Sequence, residues 1–203
     1  DVYTVKLDIL ALCSVYVDNV HIKPHMMKSG SSSSGKSYTS KAVCKFWKET
    51  NRIHMFSSIT DKALKYYKAN DKKWSWDGKL LYVEDASQSF MNSEIVKVLL
   101  SDGMAKSLSV VDGKSQVLEV NGKPLMWTTT ANVDLGDEMA TRFIVSGVDE
   151  TDKQLGGVLK YQSEIAEGEK SPKYDNSMQN VLKALENVKV IIPYASKLKD
   201  IFI

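Results

Sequence analysis

The sequence has few cysteines, little net charge and no long apolar run. Its two cysteines, Cys13 and Cys44, are too few for a disulfide framework and lack the spacing of metal ligands, so we interpret both as reduced core thiols. The net charge of +2 is too small to mark the whole chain as a nucleic-acid binder, so any such surface must be local. No stretch approaches the roughly 18 apolar residues that span a membrane, and the N-terminus lacks the layout of a signal peptide. We therefore expect a cytoplasmic protein with no membrane partner.

The composition, 43% hydrophobic and 26% charged, is that of a globular protein with enough apolar residues to bury a core. A length of 203 residues predicts one large domain with shorter additions. We expect an N-terminal helix over residues 1–17, a core over 18–170 and a C-terminal helical segment over 171–203 that leads into a further domain. The chain has no initiator Met, and we expect it to be a piece of a longer protein.

Short apolar runs alternate with segments of helical periodicity along the chain. This alternation predicts an α/β fold with a mainly parallel central sheet. The run at 79–83 is almost wholly apolar, which is typical of a central strand covered on both faces. Further strands are predicted over 20–28, 52–56 and 142–148, and helices over 5–17, 36–49, 60–67, 91–100, 152–166 and 177–187. The buried face of the first helix is predicted to contain Leu7, Leu10, Ala11 and Val15.

Two turn signals between residues 108 and 130 predict an antiparallel insertion. Asp112-Gly113 and Asn121-Gly122 supply the positive φ angles that tight hairpin turns require. They separate three strand-like runs, 108–111, 116–120 and 124–130. The pattern predicts two successive hairpins.

A glycine- and serine-rich segment matches the phosphate-binding loop (P-loop) pattern G-x-x-x-x-G-K-[ST]. A predicted strand precedes it and a predicted helix begins at Lys36, which is the context that the pattern needs. Main-chain N–H groups of such a loop converge on phosphate oxygens, and the helix N-terminus adds its positive dipole end. A chance match in a serine-rich linker is the alternative, at a frequency on the order of one in a hundred. The predicted nucleotide-binding residues are Gly30, Ser31, Ser32, Ser33, Ser34, Gly35, Lys36 and Ser37.

Within this loop Lys36 is expected to neutralise the β- and γ-phosphates of ATP, and the Ser37 hydroxyl to bind Mg²⁺. An acidic pair, Glu84-Asp85, follows the apolar run at 80–83 and is placed at the carboxyl edge of the sheet beside the loop. We expect Glu84 to hold Mg²⁺ through water and Asp85 to orient or activate the attacking water. The order of the two acids is the reverse of the usual Asp-Glu, so the division of labour between them stays open. A solvated turn is the alternative reading of the pair.

Two later elements extend the predicted site. The strand at 126–130 ends in polar residues, of which Thr130 and Asn132 are candidates to sense the γ-phosphate or the attacking water. Arg142 stands just before the last predicted strand. It is a candidate arginine finger that reaches the nucleotide of a neighbouring subunit, and a surface salt bridge is an equally weighted alternative.

The four motifs in this order resemble the helicase-like ATPase domain of phage and plasmid replication proteins, which is often fused to a primase. That family belongs to the additional-strand-catalytic-glutamate branch, together with AAA+ proteins and viral helicases. The resemblance implies a three-layer P-loop NTPase fold, ATP and Mg²⁺ as cofactors, and a homo-oligomeric ring, such as a hexamer, that moves on single-stranded DNA. The resembling stretches are Ser29–Tyr38, Ser57–Leu64, Leu80–Ala86, Trp127–Asn132, Thr141-Arg142 and Ile192–Ala195, and the first of them adds Tyr38 to the expected nucleotide contacts.

Related ring ATPases place a basic hairpin in the channel, and the predicted hairpins here carry lysines near their turns. Lys106, Lys114 and Lys123 are therefore candidates to contact the phosphate backbone of DNA. Lysines at turns also protect sheet edges, which is the alternative reading.

The sequence thus predicts an ATP-hydrolysing, helicase-type motor that acts in DNA replication. Two other classes stay open. A viral DNA-packaging ATPase or a non-hydrolysing, nucleotide-dependent scaffold would suit the reversed acidic pair. A small-molecule kinase would need an arginine-rich lid after the third strand, where this chain has only lysines.

Overall fold

A computed structural model describes residues 2–18, 22–32, 34–47, 51–68, 71, 73–130, 137–171, 177–191 and 193. The elements, in chain order, are α1 (Val2–Cys13), a 3₁₀ turn (Ser14–Tyr16), β1 (His25–Ser29), α2 (Lys36–Lys45), β2 (Ile53–Phe56), α3 (Asp61–Tyr66), β3 (Leu80–Val83), α4 (Gln88–Met91), α5 (Glu94–Asp102), β4 (Met104–Val111), β5 (Lys114–Asn121), β6 (Leu125–Thr130), α6 (Asp137–Ala140), β7 (Phe143–Gly147), α7 (Asp152–Ala166) and α8 (Ser177–Lys183).

Five strands form one parallel sheet in the order β2-β3-β6-β1-β7. The predicted α/β fold with a parallel central sheet is confirmed. The strand that carries the predicted sensor residues, β6, lies next to β3, as expected, and separates β3 from β1. β1 begins at His25, directly after Pro24, because proline has no N–H to donate to a ladder. β1 is nevertheless an interior strand.

The interior of the sheet is buried on both faces, and successive side chains of β3 enter opposite cores. In β3, Leu80 and Tyr82 pack with α1 and α2, while Leu81 and Val83 pack with α3, α4 and α5. This alternation follows from the two-residue side-chain period of a strand. It also explains why the β3 segment is almost wholly apolar, since both faces of the strand are covered. The result is a three-layer arrangement with the sheet in the middle.

The helix predicted over 91–100 is two helices, α4 and α5, separated at Asn92-Ser93. The first begins at a serine N-cap, because the Ser87 hydroxyl oxygen accepts a hydrogen bond from the Phe90 N–H at 3.2 Å. The second ends at Gly103, which adopts a left-handed conformation with φ of 74°. The break in the helix lets both Phe90 and Ile95 reach the same core. No described helix has the length and apolarity to cross a membrane.

The predicted pair of hairpins is half right. β4 and β5 form an antiparallel hairpin around Asp112-Gly113, whose φ angles are 51° and 75°. The second hairpin is wrong, because β6 pairs in parallel with β3 and β1. At Gly122 the chain leaves the hairpin, and the Gly122 N–H donates to the Gly103 carbonyl at 2.6 Å. β6 begins with three apolar residues and is buried in the main sheet from Leu125 to Thr129, which an exposed third hairpin strand would not allow.

The predicted buried face of the first helix is also partly wrong. Leu10 is 69% exposed, whereas Asp8 is fully buried. The Asp8 carboxylate forms an ion pair with Lys28, an equally buried residue of β1. Burial raises the pKa of Asp8, and the hydrogen bond and charge of Lys28 act in the opposite direction. The pair ties α1 to the strand that leads into the glycine-rich loop.

Removing the Asp8 charge should destabilise the fold. We expect Asp8→Ala to lower the free energy of unfolding by about 3–5 kcal/mol, because it leaves the Lys28 ammonium buried without its partner. The double variant Asp8→Leu, Lys28→Met should recover most of the loss, since it buries no charge. Urea denaturation of the three proteins measures both effects. If the double variant is as unstable as Asp8→Ala, the ion pair stabilises the fold through specific contacts that two apolar side chains do not replace.

Gly122 and Gly113 offer a matched test of the corrected topology. Both have positive φ, of 89° and 75°, but a Cβ on Gly113 meets open space. A Cβ on Gly122 would overlap the main-chain nitrogens of Trp76 and Asp77. Alanine should therefore cost about 1 kcal/mol at Gly113 and about 3 kcal/mol or more at Gly122. Thermal unfolding of the two variants checks this, and equal losses would contradict the packed turn at Gly122.

Candidate nucleotide-binding site

The three central motifs meet at the carboxyl edge of the sheet. The register pairs Ser29, the last residue of β1, with Thr130, the last residue of β6. β6 also pairs with β3, where Thr128 lies beside Val83, the residue before the acidic pair. The loop after β1, the acids after β3 and the polar end of β6 therefore lie side by side, as they do at the ligand-binding edge of open α/β sheets.

The loop between β1 and α2 has the backbone of a phosphate cradle. Gly35 is the N-cap of α2 with φ of 91°, a conformation that favours glycine. A Cβ on Gly30 would lie 2.7 Å from the carboxylate of Glu150 and 3.0 Å from the Ser34 hydroxyl, so a larger residue here would have to displace these two side chains. Ser33 lies outside the described residues.

Lys36 is folded onto the loop. Its side chain is only 7% exposed. The ammonium donates to the Gly30 carbonyl at 2.8 Å and to the Ser31 carbonyl at 2.5 Å. The one cation at the start of α2 thus lies within the cradle and is bound to groups of the loop itself.

An anionic oxygen already lies on the loop. The Ser31 N–H donates to the Glu150 carboxylate at 2.7 Å, across 119 residues of sequence. This hydrogen bond is the main cause of the lowered pKa of Glu150, and the Lys36 charge adds to it. Glu150 belongs to the connection between β7 and α7. The carboxylate stands where a main-chain N–H of a phosphate cradle would hold a phosphate oxygen. Sequence reasoning missed Glu150, because no motif marks it.

The two residues predicted to bind Mg²⁺ approach each other across α2 and β3. Glu84 forms an ion pair with Lys41 at 2.7 Å. Hydrogen bonds from Lys41 and from the Ser37 hydroxyl hold the pKa of Glu84 below its ordinary value, so the carboxylate is ionised at neutral pH. A hydroxyl and a carboxylate are the hard oxygen ligands that Mg²⁺ prefers, and they fit it here. Lys41 is a second residue that sequence reasoning missed, although its place one helical turn after Ser37 was a usable signal.

The threonine run of β6 holds the acidic turn in place. The Asp85 N–H donates to the Thr129 hydroxyl at 3.2 Å, and the Ala86 N–H donates to the Thr128 hydroxyl at 3.3 Å. Asp85 adopts φ of 47° and is exposed. Its carboxylate is thus carried at the open edge of the site. Thr128 and Thr129 are therefore positioning residues, a role that the sequence did not predict for them.

The remaining predicted site residues belong to different segments of the chain. Thr130 is half-buried at the end of β6, and Tyr38 is 77% exposed on the first turn of α2. Asn132 lies outside the described residues. Arg142 precedes β7, at the amino edge of the sheet, and its guanidinium donates to the Lys97 carbonyl at 2.9 Å and to the Ser101 hydroxyl. These bonds attach Arg142 to the end of α5 of its own chain, which favours a structural role over a finger.

Only two of the three candidate DNA-contacting lysines lie on the hairpin. Lys106 pairs with Glu119 on the facing strand at 2.7 Å, with both side chains exposed. Lys114 follows the Asp112-Gly113 turn. Lys123 was predicted beside a second hairpin turn, but it follows Gly122, where the chain enters the main sheet. Its side chain lines a cavity at the amino edge of that sheet.

Comparisons with known proteins agree with this geometry. A family model described as the MTBMA_p00010 P-loop domain matches residues 2–189. Among solved structures, the chain is similar to the P216G mutant of RuvB from Thermotoga maritima, with a TM-score of 0.53 and 15% sequence identity. The likeness covers 81% of this chain and 52% of the RuvB chain, so this chain spans about half the length of that one. At this identity the likeness shows the fold.

A search of curated proteins finds no match. The family model, in contrast, extends from α1 to the segment after α8 and includes the glycine-rich loop, the acidic turn and the threonine strand. The chain is therefore a P-loop protein, a member of the family of the MTBMA_p00010 P-loop domain.

Proposed function

We propose that this chain binds Mg-ATP at the glycine-rich loop and hydrolyses it, as the ATPase of a replication motor that acts on single-stranded DNA. The observation that carries the proposal is the anion on the loop, where the Ser31 N–H holds a Glu150 carboxylate oxygen and the charge of the buried Lys36 acts on it. A loop that holds one anionic oxygen in this way is suited to the oxygens of a triphosphate.

The chemistry follows from the arrangement of the side chains. Lys36 would exchange the carbonyls of Gly30 and Ser31 for the β- and γ-phosphates of ATP. Ser37 and Glu84 would hold Mg²⁺, which neutralises phosphate charge when bound. Asp85 would accept hydrogen bonds from the attacking water, because its turn is held by Thr128 and Thr129 at the open edge of the site. Thr130 and Asn132 would hydrogen-bond to the γ-phosphate, with Tyr38 beside the bound nucleotide.

The DNA-directed part of the proposal is supported by the hairpin. β4 and β5 are eight residues each, and only their bases are buried, at Ala105, Leu118 and Val120. Lys114 lies beside the Asp112-Gly113 turn, and exposed Leu108 and Val110 lie on the distal half. Lys106 lies nearer the base, opposite Glu119. A projecting hairpin with exposed lysines would contact the phosphate backbone if copies of the chain surround a strand. We propose a ring-shaped homo-oligomer on this ground and on the motif resemblance.

One observation favours a second candidate. Glu84, the acid assigned to Mg²⁺, is already bound to Lys41, which competes with the metal ion for the carboxylate. A chain that binds ATP without turnover would act as a nucleotide-dependent scaffold. The two candidates share the same binding site and differ in whether phosphate is released.

The lysine of the loop provides the direct test. We expect Lys36→Ala to lower ATP turnover about 10²-fold or more, because it removes the cation that stabilises charge on the transferred phosphoryl group. Lys45→Ala changes an exposed lysine on the same helix and should leave turnover unchanged. Phosphate release is measured with and without single-stranded DNA. Lys114→Ala should reduce only the stimulation by DNA and leave turnover without DNA unchanged.

Equal turnover by wild type and Lys36→Ala would reject the proposed site. Binding of ATP by the wild type with no phosphate release would instead select the scaffold. Absence of stimulation by DNA in an active ATPase would reject the replication-motor part and leave the ATPase part standing.

Glu150 and a phosphate compete for the same main-chain donor. We expect Glu150→Gln to bind ATP roughly three- to tenfold more tightly, since a neutral amide oxygen is a weaker acceptor than a carboxylate and is displaced more easily. Glu167→Gln, an exposed change just after α7, is the matched control. Titration calorimetry gives the dissociation constants, and a lower affinity in Glu150→Gln would mean that Glu150 helps to hold the nucleotide.

A further inference from the structure

A polar cavity of about 360 Å³ lies at the amino-terminal edge of the parallel sheet, at the opposite end from the glycine-rich loop. Four basic side chains line it, and each stands one or two residues before a strand. Because parallel strands align their amino ends, these four residues meet although they are far apart in sequence. They are Lys23 before β1, Arg52 before β2, Lys79 before β3 and Lys123 before β6.

The cavity carries an excess of positive charge. Two carboxylates, Asp18 and Asp77, share the lining with the four cations. Both accept hydrogen bonds from neutral donors. Asp18 binds the Asn187 amide at 2.7 Å, and Asp77 binds the Ser75 hydroxyl at 2.8 Å and the Lys123 main-chain N–H at 2.9 Å. The lining therefore has two positive charges more than negative ones.

The cations are held in place by main-chain carbonyls. The Lys23 side chain is 6% exposed, and its ammonium donates to the carbonyls of Ser14 at 3.0 Å and Val17 at 3.2 Å. The Arg52 guanidinium donates to the Val15 carbonyl at 3.2 Å and lies 4.5 Å from the centre of the Tyr16 ring. Side chains fixed in this way lose little freedom when an anion binds, which favours binding.

The electrostatics of the lysines point the same way. Burial is the largest cause that lowers the pKa of Lys23; the charges of Asp77 and Asp18 oppose it, and the charge of Lys123 adds a smaller lowering. Burial also lowers the pKa of Lys79, with Arg52 as the next cause. An anion in the cavity would favour the charged form of both lysines.

We propose that the cavity is a second anion site, which binds a phosphate-bearing dianion no larger than about a mononucleotide. The volume is near the lower end of small-molecule pockets, so the ligand is compact. The Arg52 guanidinium donates to the carbonyls of Val15 and Gly78 and to Asn187 Oδ1, and it would exchange some of these contacts for a phosphate group. The lysines supply point charges to it. The excess of two positive charges matches a phosphate monoester. Free phosphate compounds and the 5′-phosphate of a nucleic-acid strand share this chemistry.

The test uses inorganic pyrophosphate as the probe and the full chain with Lys36→Ala, which disables the glycine-rich loop. This background should still bind the probe in titration calorimetry. Adding Lys123→Ala or Lys79→Met should weaken binding roughly fivefold or more, since each removes a charge from the lining. Adding Lys45→Ala, an exposed change on α2, should change nothing. Urea midpoints of all variants establish that the fold is retained.

Two outcomes overturn the proposal: no binding to the Lys36→Ala chain, or binding that neither Lys123→Ala nor Lys79→Met weakens. Neither depends on the proposed ATPase, because ATP turnover by the wild type is measured separately. Oligonucleotides with a 5′-phosphate and a 5′-hydroxyl then identify the source. A preference for the phosphorylated end supports a strand terminus as ligand, and equal affinity together with pyrophosphate binding supports a free phosphate compound.

Discussion

Parallel pairing of β3, β6 and β1 is the constraint on which the rest of this structure depends. Parallel strands place all their carboxyl ends at one edge of the sheet and all their amino ends at the other. One edge therefore collects the glycine-rich loop, the acidic turn and the last threonine of β6. The other edge collects the four basic residues that precede β1, β2, β3 and β6. Two sites of different chemistry follow from a single hydrogen-bonding pattern.

Charged side chains of the chain itself occupy the polar groups of the glycine-rich loop. Lys36 binds two carbonyls of the loop, and Glu150 binds one of its N–H groups. A triphosphate would replace both sets of contacts, since it offers oxygens to the lysine and to the N–H. Beneath the loop, the buried pair of Asp8 and Lys28 joins α1 to β1. The strand that leads into the loop is thus fixed to α1 by a buried ion pair. The exposed Glu150 carboxylate, from the connection between β7 and α7, binds the loop itself.

Much of the fold could be predicted because local patterns agree with it. The apolar run of β3 predicts a strand covered on both faces, and Asp112-Gly113 predicts a hairpin turn. The same rules failed where tertiary context decided. Asn121-Gly122 satisfies the local rule for a hairpin, yet β6 is buried more completely between β3 and β1. Asp8 is polar and was not predicted to be buried, because its partner, Lys28, is distant in sequence.

For the candidate site, the sequence by itself determined the glycine-rich loop, the acidic pair and the threonine strand. Each of these is a contiguous segment whose chemistry depends on neighbouring residues. Only the tertiary structure decided that Glu150 lies on the loop, that Lys41 neutralises Glu84, that Arg142 binds α5, and that four cations meet at the amino edge. These contacts join residues from separate elements, and among them only Lys41, one helical turn after Ser37, has a local signal in the sequence. They exist because strand order and register bring distant segments together.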